Sequence, residues 1–161
     1  MNDRFVVELA DDAIAKVVKD VQPHWGPLGW VTYKRTYARY VDSQQRTENW
    51  DETVKRVVEG NINLDPRLRA LRGKKNRSSE DIALIASLQE EAMRLFSLIY
   101  GLGATPSGRN LWVSGTTYQS EHGDALNNCS FYAPRVNLHS YHHRQSNQPW
   151  LLIHALGEWS N

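Results

Sequence analysis

The stretch Asn49-Trp-Asp-Glu-Thr-Val-Lys-Arg-Val-Val-Glu-Gly60 carries the signals of a helix at both ends. Asn49 is a good N-cap, and Glu52 stands three residues on, where a capping box needs a carboxylate. Trp50, Val54, Val57 and Val58 recur at helical spacing and form one apolar stripe. Gly60 falls where a left-handed terminal residue is wanted, so the helix is expected to stop there.

Working outward toward the C-terminus, Arg72-Gly-Lys-Lys-Asn-Arg-Ser-Ser79 reads as a polar surface loop. A longer helix is predicted from Ser78 or Ser79, with Glu80 and Asp81 favourable in its first turn. Ile82, Ile85, Leu88, Ala92, Leu95, Phe96 and Ile99 mark its apolar face, and Gly101 its end. About 22 residues at 1.5 Å each give roughly 33 Å, long enough to span a body larger than a small domain. Toward the N-terminus, Ile14, Val17, Val18 and Val21 predict a helix stopped by Pro23. His24-Trp-Gly-Pro-Leu-Gly-Trp30 reads as a structured turn. Tyr33, Tyr37 and Tyr40 share a helical face among Lys34, Arg35 and Arg39. That basic aromatic face is either a core stripe with a solvated side or a nucleic-acid contact. After Gly103 the periodicity changes. Asn110-Leu-Trp-Val-Ser114 and Leu126-Asn-Asn-Cys-Ser-Phe-Tyr132 lean toward extended chain, joined by a polar connection from Gly115 to Gly123. The expected fold class is mainly α with a few strands.

Composition narrows the function classes. The 161 residues hold 19 Lys and Arg against 18 Asp and Glu, so a broad nucleic-acid surface is not expected. No apolar run is long enough for a membrane span, and MNDRFVVELADD lacks the basic start and apolar core of a signal peptide. A cytoplasmic location is therefore expected. One cysteine forms neither an internal disulfide nor a Cys-rich zinc site. Charge is uneven: residues 130–161 carry only Arg135, Arg144 and Glu158, with four of the six His and no Lys. His139, His142 and His143 have the spacing of one helix face, but no carboxylate or cysteine stands beside them, and no metal site is assigned.

Four stretches carry a family resemblance. They are Gly29-Trp-Val-Thr-Tyr-Lys-Arg-Thr-Tyr-Ala-Arg-Tyr40, Asn49 through Arg67, Leu98-Ile-Tyr-Gly-Leu-Gly-Ala-Thr-Pro-Ser-Gly-Arg-Asn-Leu-Trp112, and Gly123-Asp-Ala-Leu-Asn-Asn-Cys129. Over roughly residues 12–132 the chain resembles the N-terminal part of adenosylcobalamin-dependent ribonucleoside-triphosphate reductases of the monomeric class II type. The resemblance implies a ten-stranded α/β barrel. It implies a thiyl radical, generated by cobalamin Co–C homolysis, that removes the ribose 3′-hydrogen. The 2′-hydroxyl then leaves as water while a cysteine pair closes to a disulfide, which a dithiol reductant later reopens.

The resemblance places Cys129 at one position of that reducing pair and Asn128 beside the substrate. Thr105-Pro-Ser-Gly-Arg109 matches a turn into the first barrel strand. Thr105 and Ser107 can donate hydroxyls there, Gly108 can let backbone approach a ligand, and Arg109 can pair with phosphate. From pattern alone, 105–109 reads as a plain β-turn. The radical cysteine and the second reductant cysteine are absent from these residues. Beyond Phe131 no family motif is recognised.

The expected organisation is a helical region over 1–103, first barrel strands with Cys129 over 104–132, and a divergent, poorly ordered tail over 133–161. The expected function is that of an N-terminal reductase fragment, inactive alone and not itself binding adenosylcobalamin. Its partners by resemblance are a ribonucleoside triphosphate and a dithiol. The alternatives are one half of a split reductase, completed by a separate C-terminal polypeptide, and a small nucleotide- or nucleic-acid-binding module.

Overall fold

A computed structural model describes residues 5–122, and the architecture there is helical around the packing of two helices. In chain order these residues form α1 (Asp11–Asp20), α2 (Pro27–Thr32), a π-helical turn (Tyr33–Tyr37), β1 (Tyr40–Val41), a 3-10 turn (Asp42–Gln44) and β2 (Arg46–Thr47). Then follow α3 (Trp50–Ile62), α4 (Pro66–Leu71), α5 (Ser79–Tyr100), α6 (Gly108–Val113) and α7 (Thr117–Glu121). The expectation of a mainly α fold with a few strands holds for the described residues.

The central pair is α3 against α5. Trp50, Val54, Val57 and Val58 of α3 are buried, as are Leu88, Ala92, Phe96 and Tyr100 of α5. Phe96 is fully buried and stacks on Tyr100 at 5.7 Å. The α5 start is a complete capping box: Ser78 Oγ accepts from the Asp81 N–H at 3.2 Å, and Asp81 accepts from the Ser78 N–H at 2.8 Å. Glu52 likewise accepts from the Asn49 N–H at 2.7 Å and holds Arg46 in a two-pronged ion pair. Ile82 and Leu98 remain exposed on α5, so its apolar stripe is wider than the core it covers here.

The N-terminal residues form a strap across α3. Asn63 Oδ1 accepts from the N–H groups of Val6 and Val7, and its amide donates to the Val7 carbonyl. The Leu9 N–H donates to Glu59 Oε1 at 2.7 Å. Burial raises the Glu59 pKa, against the downward pull of the Leu9 N–H and the Lys55 charge. A carboxylate with a raised folded pKa is destabilising while ionised, and the penalty disappears as pH falls through that pKa. Glu59→Gln keeps an acceptor for Leu9 without the charge. It should raise the urea midpoint at pH 7, by the equivalent of about 1 kcal/mol or less, and the gain should shrink toward pH 5.

Several expectations require correction. Gly60 does not end α3, which runs to Ile62. It sits inside the helix at a close approach to Gly115, where a Cβ would lie 2.5 Å from the Gly115 Cα and overlap its nitrogen. α5 does end at Gly101, its C-cap, as expected, and the left-handed residue that follows is Leu102 (φ 62°). The Gly103 N–H returns to the Leu98 carbonyl and the Leu102 N–H to that of Ile99, which is a Schellman closure. The turn expected over 24–30 becomes helical from Pro27, a residue suited to a first helical turn. The tyrosine face is also broken. Tyr33 is buried in the π-helical turn, whereas Tyr40 is exposed in β1, so the three do not form one basic aromatic helix.

The described strands precede α3, where none was expected. The described pair is the two-residue antiparallel ladder β1–β2, with Tyr40 opposite Thr47. Asn110–Ser114 is not extended; Asn110 to Val113 lie in α6. Ser107 caps that helix, accepting from the Asn110 N–H and from its amide at 3.1 Å, and the Ser114 hydroxyl donates to Asn110 Oδ1. Leu111 and Val113 are buried while Trp112 is exposed, an alternation that resembles a strand but arises from one short helix. The connection 115–123 contains α7. The expected strand 126–132, the His cluster and the tail all lie outside the described residues. No barrel is present among the residues described.

Candidate functional site

The segment Thr105–Arg109 enters a cleft of about 410 Å³. Thr105, Pro106 and Gly108 line it on one side, and Trp25, Tyr33, Tyr37 and Trp50 supply aromatic walls. Gly108 has a packing reason for lacking a side chain: a Cβ there would lie 2.6 Å from the Tyr37 ring. The close approach it permits is therefore to Tyr37. Ser107 lines no part of the cleft, and its hydroxyl is committed to the α6 cap. Arg109 is exposed in the first turn of α6. Asn128 and Cys129 lie outside the described residues, so their relation to the cleft is not part of the description.

Behind the cleft, a buried polar network fixes α6 to α3. Glu48 is 7% exposed. Its carboxylate accepts from Arg56 Nε at 2.7 Å and from a second Arg56 nitrogen at 2.8 Å, and from the Thr53 hydroxyl at 2.8 Å. The Tyr33 hydroxyl is hydrogen-bonded to that of Thr53 at 2.8 Å, and the Glu48 carbonyl lies 3.2 Å from the Tyr33 hydroxyl. The remaining Arg56 donors reach the carbonyls of Leu111 (2.8 Å) and Ser114 (2.5 Å), and Arg39 donates to that of Trp112 at 2.9 Å. Two guanidinium groups thus satisfy three carbonyls that the end of α6 would otherwise leave open.

The charges in this network are set by burial and pairing. Burial pushes the Glu48 carboxyl upward, but the Arg56 bonds and charge outweigh it and hold the pKa below the ordinary value. Burial pushes the Tyr33 phenol to about 12, against the opposing Thr53 bond, so Tyr33 stays protonated at neutral pH. Sequence reasoning missed Glu48, Arg56, Arg39 and Trp25. Arg56 looks like a solvated helix residue, and its partners at 111 and 114 are backbone carbonyls that leave no trace in the sequence.

The described cleft does not fit a cobalamin. The cleft is far smaller than a corrin ring with its appended nucleotide. Among the described residues there is no group of three His, Cys, Asp or Glu side chains able to hold a metal. No helix there is long and apolar enough to cross a membrane.

This helical scaffold, with its capped 105–113 segment, defines a class that comparison identifies. The family profile described as "Ribonucleotide reductase alpha domain" matches residues 9–116, and the chain belongs to that family. It is 60% identical over 137 residues to the adenosylcobalamin-dependent ribonucleoside-triphosphate reductase of Lacticaseibacillus paracasei, covering 85% of this chain and 17% of the relative. It is 62% identical over 129 residues to the enzyme of the same description from Lactobacillus leichmannii, covering 80% and 16%. A crystal structure of a B-12 dependent (class II) ribonucleotide reductase matches with a TM-score of 0.67 and 63% identity, over 76% of this chain and 16% of that one. The chain spans about one sixth of the length of these relatives.

Proposed function

We propose that the chain supplies the N-terminal region of an adenosylcobalamin-dependent ribonucleoside-triphosphate reductase. The observation that carries this is identity of 60% or more to such reductases, sustained over 129 residues and beyond. In this reading residues 1–103 are the helical region, 104–132 lead into the barrel, and 133–161 diverge from the family. Thr105, Ser107, Gly108, Arg109 and Asn128 face the ribonucleotide in the complete enzyme. Ser107 would act there through the turn it caps as well as through its hydroxyl.

Cys129 is one thiol of the reducing pair. The pair delivers two electrons by closing a disulfide as the ribose 2′-hydroxyl leaves as water. An external dithiol reopens it through thiolate exchange. The chemistry needs a radical thiol and two reductant thiols, and the 161 residues contain one cysteine. The chain is therefore expected to work as part of a larger catalytic body, in one polypeptide or with a complementing C-terminal polypeptide in the cytoplasm. Adenosylcobalamin is held by that larger body.

The test supplies the purified 161-residue chain with a ribonucleoside triphosphate, adenosylcobalamin and dithiothreitol. No deoxynucleotide is expected. Its formation would overturn the assignment of the chain as an incomplete catalyst.

A further inference from the structure

The charge balance of the whole chain conceals a local excess. From Pro66 to Ser79 there are six cations, Arg67, Arg69, Arg72, Lys74, Lys75 and Arg77, and no acid. All six are exposed. Packing fixes the backbone that carries them. Leu68 and Leu71 bury the inner side of α4, the Arg72 guanidinium donates to the Asn63 carbonyl at 3.0 Å, and the Lys74 N–H returns to the Leu71 carbonyl. Gly73 turns the chain there at φ 70°, and the Ser78 capping box closes the far end. The flanking acids are Asp65, Glu80 and Asp81. Asp65 is paired with Arg67, which also feels Glu91, and Asp81 is paired with Lys74. Arg69, Arg72, Lys75 and Arg77 have no acidic partner among the described residues.

We infer that this platform binds the phosphate backbone of duplex nucleic acid without reading its sequence. Duplex DNA carries one negative charge per about 1.7 Å, so cations held on a fixed loop meet several phosphates at once. Guanidinium groups pair with phosphate oxygens in two-pronged fashion, and three of the four unpaired cations are Arg. The surface offers little else. No aromatic residue stands between Leu64 and Asp81, and Leu68 and Leu71 are buried. Single strands want stacking rings, lipid surfaces an inserted apolar group, and protein partners an apolar centre. A duplex backbone needs none of these. The platform uses no residue of the cleft or of the Thr105–Arg109 segment, so the inference does not rest on the reductase assignment.

The experiment titrates the 161-residue chain into a fluorescein-labelled DNA duplex of about 20 base pairs and follows anisotropy. At about 50 mM salt a Kd on the order of 1–10 µM is expected, and four cations on phosphate predict a slope of log K against log salt of about −3 to −4. Two duplexes of unrelated sequence should bind within about threefold of each other. Arg69→Gln/Lys75→Gln/Arg77→Gln removes exposed side chains that make no ion pair, so folding should survive, which circular dichroism checks. That variant should bind about tenfold or more weakly, with a slope of about −1. Lys16→Gln/Lys19→Gln/Arg35→Gln removes the same charge from exposed positions elsewhere and should stay within about threefold of wild type. No saturation at about 100 µM chain, a wild-type slope shallower than about −2, or equal losses in the two variants would each overturn the inference. So would polyglutamate or phosphatidylserine vesicles binding as tightly as the duplex. Deoxynucleotide formation is not measured, so failure here leaves the reductase assignment standing.

Discussion

Gly60→Ala should destabilise the chain by about 3 kcal/mol, although alanine is the better helix former. In an open helix the same change is worth up to about 1 kcal/mol in the stabilising direction. The sign reverses because the new methyl group meets backbone. It would overlap the Gly115 nitrogen and lie 2.5 Å from its Cα, and Gly115 cannot retreat. A Cβ on Gly115 itself would overlap the Arg56 carbonyl oxygen, and its φ of 75° already favours glycine. The two glycines are therefore a paired contact that lets the chain after α6 lie directly on α3. Gly73→Ala is the control: φ is 70°, but nothing lies within 4 Å, so it bears only the conformational cost of about 1 kcal/mol. Urea unfolding should show a much larger midpoint shift for Gly60→Ala. Equal shifts would mean that the close approach has no energetic consequence.

Arg56→Met should cost about 3–5 kcal/mol, the range for removing one partner of a buried ion pair. Two losses combine. Glu48 keeps its buried carboxylate without the guanidinium that compensates it, and the Leu111 and Ser114 carbonyls lose their donors. Glu48→Gln/Arg56→Met should recover part of the loss by removing the uncompensated charge, leaving the carbonyl penalty. The pH dependence has a definite sign. Because the folded pKa of Glu48 lies below its unfolded value near 4.5, the pair contributes fully above that value and loses its contribution as pH falls through the folded pKa. Wild-type stability should drop below about pH 4.5, and Arg56→Met should lose that part of the acid dependence. A double variant as unstable as Arg56→Met would show that the carbonyl contacts alone carry the effect.

These two contacts also mark where sequence reading stops. The start of α5 was legible because Ser78 and Asp81 are local partners, and its core stripe because helical spacing is periodic. Asn49 and Glu52 announced the start of α3 in the same way. Its end was misread because a glycine near a helix terminus has two physical uses. One is a left-handed cap, and the other, realised at Gly60, is close passage of a second backbone segment. Leu102 shows the converse, a left-handed cap built on a residue that does not advertise it.

The site followed the same division. The resemblance singled out 105–109, and three of those five residues line the cleft. Reading Leu111-Trp-Val113 as extended failed because six residues cannot display helical periodicity, and the Ser107 cap decided the conformation. The walls from Trp25, Tyr37 and Trp50 come from three places in the sequence and meet only after α2, α3 and the 105–108 segment have packed. Glu48 and Arg56 carry no motif, since half of what they organise is main chain.

The central claim is that this chain can serve as the N-terminal part of a class II reductase, with Cys129 in the reducing pair. A chimera tests it most directly. Residues 1–132 of this chain replace the matching segment of the Lactobacillus leichmannii enzyme, and deoxynucleotide formation is measured with adenosylcobalamin and an external dithiol. The account predicts turnover within about tenfold of the parent enzyme, a barrier change of at most about 1.4 kcal/mol, and loss of sustained turnover on Cys129→Ser. A folded chimera without activity, or a Cys129→Ser chimera with full sustained turnover, would contradict it.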